Sequence, residues 1–177
     1  RRQRQMCIRD SYTDGACLQA LRLLGEGLPR VKAAPQDLDG RLKCLMGAWM
    51  SMTGVITGSR LGASNAIGHI LGGSAGVPHG HTSCIMLPYV LAWNESVNGD
   101  RQKEVSSAMG RPGVPASQVL ADFISGLGMP RRIRDGGVEE ADLTRLADNC
   151  MLDDWTFSNP REIRSPDQVM EILRSAY

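Results

Sequence analysis

The three histidines of the chain, His69, His79 and His81, lie within thirteen residues of one another, in the stretch Gly62-Ala-Ser-Asn-Ala-Ile-Gly-His-Ile-Leu-Gly-Gly-Ser-Ala-Gly-Val-Pro-His-Gly-His-Thr-Ser-Cys-Ile-Met-Leu-Pro88. Imidazole is the commonest metal ligand and the side chain whose charge changes near neutral pH, so the clustering points to metal binding or proton transfer. Asn65 and His69 are four residues apart and share one face of a helix. Pro78-His79-Gly80-His81 then opens the next helix and faces them across a glycine-rich turn. A divalent metal usually takes four donors, with one position open in a catalytic site. The three histidines and Asn65 do not complete such a set, because an amide is a feeble ligand for transition metals and no H-E-x-x-H spacing occurs. The competing reading of this window is helix-terminal histidines hydrogen-bonded to nearby carbonyls. Gly72-Gly73-Ser-Ala-Gly76 follows a helix and lacks the G-x-G-x-x-G order, so it reads as a helix end and tight turn, not a phosphate loop.

Helices must position these groups. Cys17, Leu21, Leu24 and Leu28 recur at helical spacing, with Thr13 or Asp14 as N-cap and Pro29 as stop. Leu38, Leu42, Leu45, Trp49 and Met52 repeat the pattern after Asp37, with so many small and sulfur-bearing neighbours that a centrally buried helix is predicted. Ser64 caps a third helix through His69 to Gly72-Gly73. A fourth begins near Pro78, carries Ile85, Leu87, Val90 and Leu91, and bends at Pro88. Further helices are predicted over 100–109, over 116–127 with Leu120, Phe123, Ile124 and Leu127 inward, and over 138–150 with Leu143, Leu146 and Cys150 inward. Ser165-Pro166-Asp167-Gln168 is a capping box that opens a last helix through Val169, Ile172 and Leu173. With no sustained period-two alternation and no internal repeat, the expected fold is an all-α bundle of about seven or eight helices. The basic, pattern-free residues 1–11 stand apart, as a disordered arm or a truncation edge, and 12–177 form the helical domain.

Composition narrows the partners. The 177 residues carry 20 basic and 19 acidic side chains, a net charge of +1 that leaves no electrostatic footprint for nucleic acid or an anionic membrane. Arg131, Arg132 and Arg134 read as a solvated loop. No apolar run approaches the roughly 20 residues of a bilayer span, and no signal-peptide pattern opens the chain, so a cytoplasmic setting is the default expectation. The five cysteines, at 7, 17, 44, 84 and 150, form no C-x-x-C pair and read as reduced structural thiols.

The run from Gly62 to Asn94 closely resembles the C-terminal helical domain of the iron-containing alcohol dehydrogenases, a family that includes the maleylacetate reductases. Its marks are Gly-Ala-Ser-x-Ala-Ile-Gly-His-x-Leu-Gly-Gly, Gly-Val-Pro-His-Gly-His-Thr-Ser-Cys-Ile-Met-Leu-Pro and Trp-Asn. The likeness extends from Tyr12-Thr-Asp14 through Gly27-Leu-Pro29 to Asn159-Pro160-Arg161. It implies an NAD(P)-dependent oxidoreductase in which an N-terminal α/β domain binds the dinucleotide and the helical domain holds iron or zinc through an Asp and three His. The metal polarises the substrate oxygen while hydride passes to or from the nicotinamide. The resemblance puts two ligand positions on Asn65 and His79, and Asn65 departs from the family's usual His. His69 matches a position beside the nicotinamide and substrate, which makes it the catalytic and cofactor-contacting candidate, and His81 becomes a cleft-lining residue without assigned role. The remaining two ligands precede Tyr12 in the family, where residues 1–11 stand here. The chain alone, without the nucleotide-binding domain, is therefore expected to be inactive and to bind neither cofactor properly.

Three functions follow from this reading. The first is metal-assisted interconversion of a small-molecule alcohol with its carbonyl compound. The second is maleylacetate-reductase-like reduction of an unsaturated oxo-dicarboxylate, a branch in which not every member depends on a metal. There a cationic pocket is expected, with Arg60 the nearby candidate. The third, of another class, is a non-catalytic helical interaction module. Apolar surface normally covered by the missing domain is expected to be exposed, and homo-oligomers are compatible with it.

Overall fold

The computed structural model describes the backbone from Arg2 to Tyr177 and side chains from Ser11 onward. Among the described residues there are no strands and eight α-helices: α1 (Arg2–Ala33), α2 (Leu38–Ile56), α3 (Ala63–Ala75), α4 (His79–Ala108), α5 (Ala116–Gly126), α6 (Leu143–Cys150), α7 (Asp154–Phe157) and α8 (Pro166–Ala176). No helix among them is long and apolar enough to cross a membrane. The chain forms two compact units, one of residues 1–59 with 103–114 and the other of 60–102 with 115–177.

The first unit is built on the α1/α2 hairpin. α1 runs through the expected cap: Thr13 is buried within the helix and its hydroxyl donates to Thr57 Oγ1 at 3.0 Å. Pro29 also lies inside α1, removing a single rung one turn before the helix ends. That last turn is tied down by Arg30, whose guanidinium meets Asp37 at 2.8 Å and Asp39 at 2.5 Å. Asp37 caps α2, accepting from Gly40 N–H at 3.1 Å. The expected arm at 1–11 lies, for its side chains up to residue 10, outside the described residues, as does Cys7.

The predicted central burial of α2 is wrong. Its buried residues are Gly40 and Gly47, whereas Leu38, Leu42, Leu45 and Trp49 are 56–76% exposed and Met52 is exposed too. The helices meet through glycine: a Cβ on Gly47 would sit 2.8 Å from Leu24 Cγ, and one on Gly27 2.9 Å from the Gly40 carbonyl. Backbone approach this close selects the small-residue face, and the large apolar side chains are left on the other side.

The second unit holds the contiguous hydrophobic core. Ile67 and Leu71 of α3, Ile85, Met86 and Val90 of α4, Leu143, Leu146 and Cys150 of α6, and Val169, Ile172 and Leu173 of α8 pack together, nearly all fully buried. Several predicted boundaries shift. α3 is capped at Gly62, not Ser64, and continues to Ala75, where Gly76 at φ 69° closes it with bonds from Gly76 N to Gly72 O and Val77 N to Leu71 O. α4 passes through Pro88 and is broken by a kink at the non-helical Asn98, beyond which the predicted 100–109 helix follows as a stretch of its own. Met86, not Leu87, is the buried position there, and Val119 replaces Phe123 and Leu127 in α5. α8 starts with Pro166 at its first position, but Ser165 makes no side-chain cap; Gln168 accepts instead from Arg164 N–H at 2.7 Å. Arg131, Arg132 and Arg134 are exposed around a buried Ile133.

Asn159 ties this unit together. Its Oδ1 accepts from Ala63 N–H and from Asn94 Nδ2, both at 3.2 Å, while its Nδ2 donates to Asn94 Oδ1 and to the Arg161 carbonyl, both at 2.7 Å. Both amides are about 95% buried, so removing one strands the polar atoms of the other. Asn159→Ala is expected to cost about 3 kcal/mol of stability, read as a lower urea midpoint, and a loss below about 0.5 kcal/mol would contradict this role. For the first unit, the exposed α2 face predicts strong binding of the dye ANS to the folded chain, clearly reduced in Trp49→Lys. Equal dye fluorescence in the two would show that the patch is not the binding surface.

Candidate active site

Gly68 lets α3 and the start of α4 come close. A Cβ there would lie 3.1 Å from Thr82 Oγ1, a fully buried hydroxyl that donates to the His79 carbonyl at 2.9 Å. Gly76 reverses the chain in a left-handed conformation, Val77 is buried beneath the turn, and His79 becomes the first residue of α4. The outcome is that the rings of His69 and His79 stack, their centroids 6.4 Å apart and their planes 18° from parallel.

His69 has a second set of partners that lies far away in sequence. Its Nδ1 is 2.8 Å from Asp153 Oδ2, and the Trp155 ring packs against it with centroids 4.8 Å apart. Asp153 is itself anchored as the N-cap of α7, Oδ1 accepting from Trp155 N–H at 2.8 Å. This replaces the carbonyl partner that the helix-end reading gives His69. The imidazole, Ser74, Asn149, Asp153 and Trp155 line an open groove of about 640 Å³. Asn149 Nδ2 donates to Ser74 Oγ at 3.3 Å on the groove wall.

The other expected site residues are placed less tightly. Asn65 is half-buried one turn before His69, His79 is exposed, and His81 is half-buried on α4 outside the stacked pair. Arg60 is exposed. No three His, Cys, Asp or Glu side chains gather into a metal-holding group among the described residues. Asn65 brings an amide, His79 one imidazole, and the Nδ1 of His69 is engaged by Asp153. The described donors therefore do not by themselves fit an iron or zinc site. Cys84 and Cys150 offer no alternative. Burial raises the Cys84 thiol, and burial together with Asp153 pushes Cys150 up to about 12, so neither supplies thiolate near neutral pH.

Asp153 and Trp155 escape sequence reasoning. They carry no helical periodicity and stand 84 residues or more from His69; the only local signal is an aspartate of N-cap type six residues before Asn159-Pro160-Arg161. The motif itself turns out to be structural. Asn159 makes the buried amide bridge, and Arg161 lies over the Trp93 ring at 3.5 Å while bonding the Trp93 carbonyl at 3.2 Å.

Relatives share both the sequence and the architecture. The 1,3-propanediol dehydrogenase of Citrobacter freundii is 29% identical over 174 residues, covering 93% of this chain and 44% of its own length. Maleylacetate reductase 1 of Cupriavidus pinatubonensis is 30% identical over 161 residues, covering 91% of this chain and 44% of its own. The solved alcohol dehydrogenase of Oenococcus oeni superposes with a TM-score of 0.85 at 26% identity, over 93% of this chain and 45% of that one. The chain thus spans less than half the length of the relatives it matches. The sequence profile described as Fe-containing alcohol dehydrogenase family, C-terminal, matches residues 8–177, and with this match the chain belongs to the iron-containing alcohol dehydrogenase family.

Proposed function

We propose that the chain forms the substrate-facing helical part of an NAD(P)-dependent oxidoreductase that interconverts a small alcohol and its carbonyl compound. The observation that carries this reading is the convergence of His69 and His79, ten residues apart, as stacked rings beside an open groove. A dinucleotide bound by a companion α/β domain would supply the hydride chemistry, and His69 is the residue that would take or give the hydroxyl proton. Alone, the chain supplies one wall of the substrate site and does not turn over. A cytoplasmic setting is part of the same reading.

Metal assistance requires donors beyond those gathered here, with His79 and Asn65 the positions in this chain that face that task. The amide at 65 favours a second reading, a maleylacetate-reductase-like enzyme that works without a metal.

Two measurements test the proposal. In the enzyme assembled with a dinucleotide-binding half, His69→Gln is expected to lower kcat about 100-fold for NAD(P)H-dependent carbonyl reduction. Unchanged kcat would remove His69 from the chemistry, and no turnover in any such assembly would favour the non-catalytic module. In the same assembly, Asn65→His is expected to raise zinc or iron affinity at least 10-fold, followed by isothermal titration and metal analysis. If the variant gains no metal, position 65 is not a ligand site.

A further inference from the structure

We infer that Asp153 is a positioning residue for His69: it selects the imidazole tautomer that carries its proton on Nδ1 and so leaves the lone pair on Nε2. The inference rests on the proposed role of His69 for its functional meaning, but not for its geometry.

Three contacts carry it. Asp153 Oδ2 lies 2.8 Å from Nδ1, a distance at which a carboxylate accepts and the ring nitrogen must donate. The other oxygen, Oδ1, is held by Trp155 N–H at 2.8 Å, so the carboxylate is aimed by the helix start it caps and is not free to rotate away. Trp155, two residues on, lays its ring on the imidazole at 4.8 Å. One short segment therefore supplies both the hydrogen-bond acceptor and the packing surface that together define the ring's plane and direction. The remaining nitrogen, Nε2, has no hydrogen-bond partner among the described residues, and His69 lines the groove. The opposite tautomer, Nε2–H, would set the Nδ1 lone pair against a carboxylate oxygen.

The consequence for the proposed reaction is a direction of proton flow. In alcohol oxidation Nε2 would accept the hydroxyl proton, a bound dinucleotide being the acceptor of the hydride. In reduction the imidazolium would return that proton from Nε2 to the oxygen. Nδ1 keeps its proton throughout, because Asp153 holds it and does not itself accept it. This division of labour between the two ring nitrogens is the one that a carboxylate-oriented histidine provides in general.

The test reads the ring in the chain itself. With only three histidines, long-range 1H–15N correlation spectra of the labelled chain, recorded where the imidazoles are neutral and assigned with His79→Gln and His81→Gln variants, distinguish a protonated from an unprotonated ring nitrogen at His69. In the unmodified chain Nδ1 is expected to carry the proton and Nε2 to show the shift of an unprotonated nitrogen. In Asp153→Asn the amide oxygen still caps Trp155 N–H while its NH2 faces Nδ1, so the proton is expected to move to Nε2. Asp153→Glu is expected to restore the Nδ1–H form at least in part. A tautomer on Nε2 in the unmodified chain, or no change in Asp153→Asn, would overturn the assignment. If Asp153→Asn does not fold, the unmodified chain and Asp153→Glu still decide it. Because the signal comes from the ring and not from turnover, failure here is separable from failure of the oxidoreductase reading, which the kinetics of His69→Gln report.

Discussion

The buried amide bridge between Asn94 and Asn159 is the constraint on which the geometry of the second unit depends. Two carboxamides facing each other satisfy donor with acceptor in both directions, and the spare capacity of Asn159 is spent on the first N–H of α3 and on the Arg161 carbonyl. In a dry setting such a network is cooperative when complete and costly when broken. It fixes the segment from 153 to 161 against the start of α3, and Ser158 adds a bond from its hydroxyl to the Leu61 carbonyl at 2.5 Å. Gly62 fits because a Cβ there would come within 3.0 Å of Asn159 Oδ1. With the strap in place, Asp153 and Trp155 are brought against the middle of α3, where His69 projects from an exposed position.

The chemistry the site offers follows from what each nitrogen and oxygen is already doing. His69 is engaged on one nitrogen and open on the other, which suits a group that moves a proton. Among the described residues no group of three His, Cys, Asp or Glu side chains gathers at His79, which does not suit a self-sufficient metal centre. Cys84 and Cys150, raised by burial, are not nucleophiles. The described donors thus leave one open imidazole nitrogen beside the groove, on a chain that spans less than half the length of the relatives it matches.

The two units obey different packing rules. The second buries Ile, Leu, Val and Met from α3, α4, α6 and α8 in one cluster, so its stability comes from apolar area removed from water. The α1/α2 hairpin gains its contact through Gly27 and Gly47, where backbones approach closely, and through Arg30, which joins the end of α1 to Asp37 and Asp39. Close backbone contact satisfies dispersion and fixes the pairing, but it turns Leu38, Leu42, Leu45 and Trp49 outward.

Periodicity and turn chemistry were sufficient for much of this molecule. The all-helical class, the inward faces of α6 and α8, the proline start of α8 and the grouping of His69 and His79 at neighbouring helix positions could all be read from residue spacing, because i, i+3, i+4 patterns and Gly/Pro punctuation act locally. Local signals also misled where they had no knowledge of neighbours. Thr13 and Ser64 have cap chemistry but sit inside helices, Pro29 looks like a stop but is carried through, and the apolar stripe of α2 marks a face without saying whether anything covers it. What the tertiary structure alone decided is the pairing of His69 with Asp153 across 84 residues and the amide bridge across 65. No one-dimensional pattern encodes such contacts, because a hydrogen bond depends on where folded backbones meet, and that is settled only when the whole core has packed.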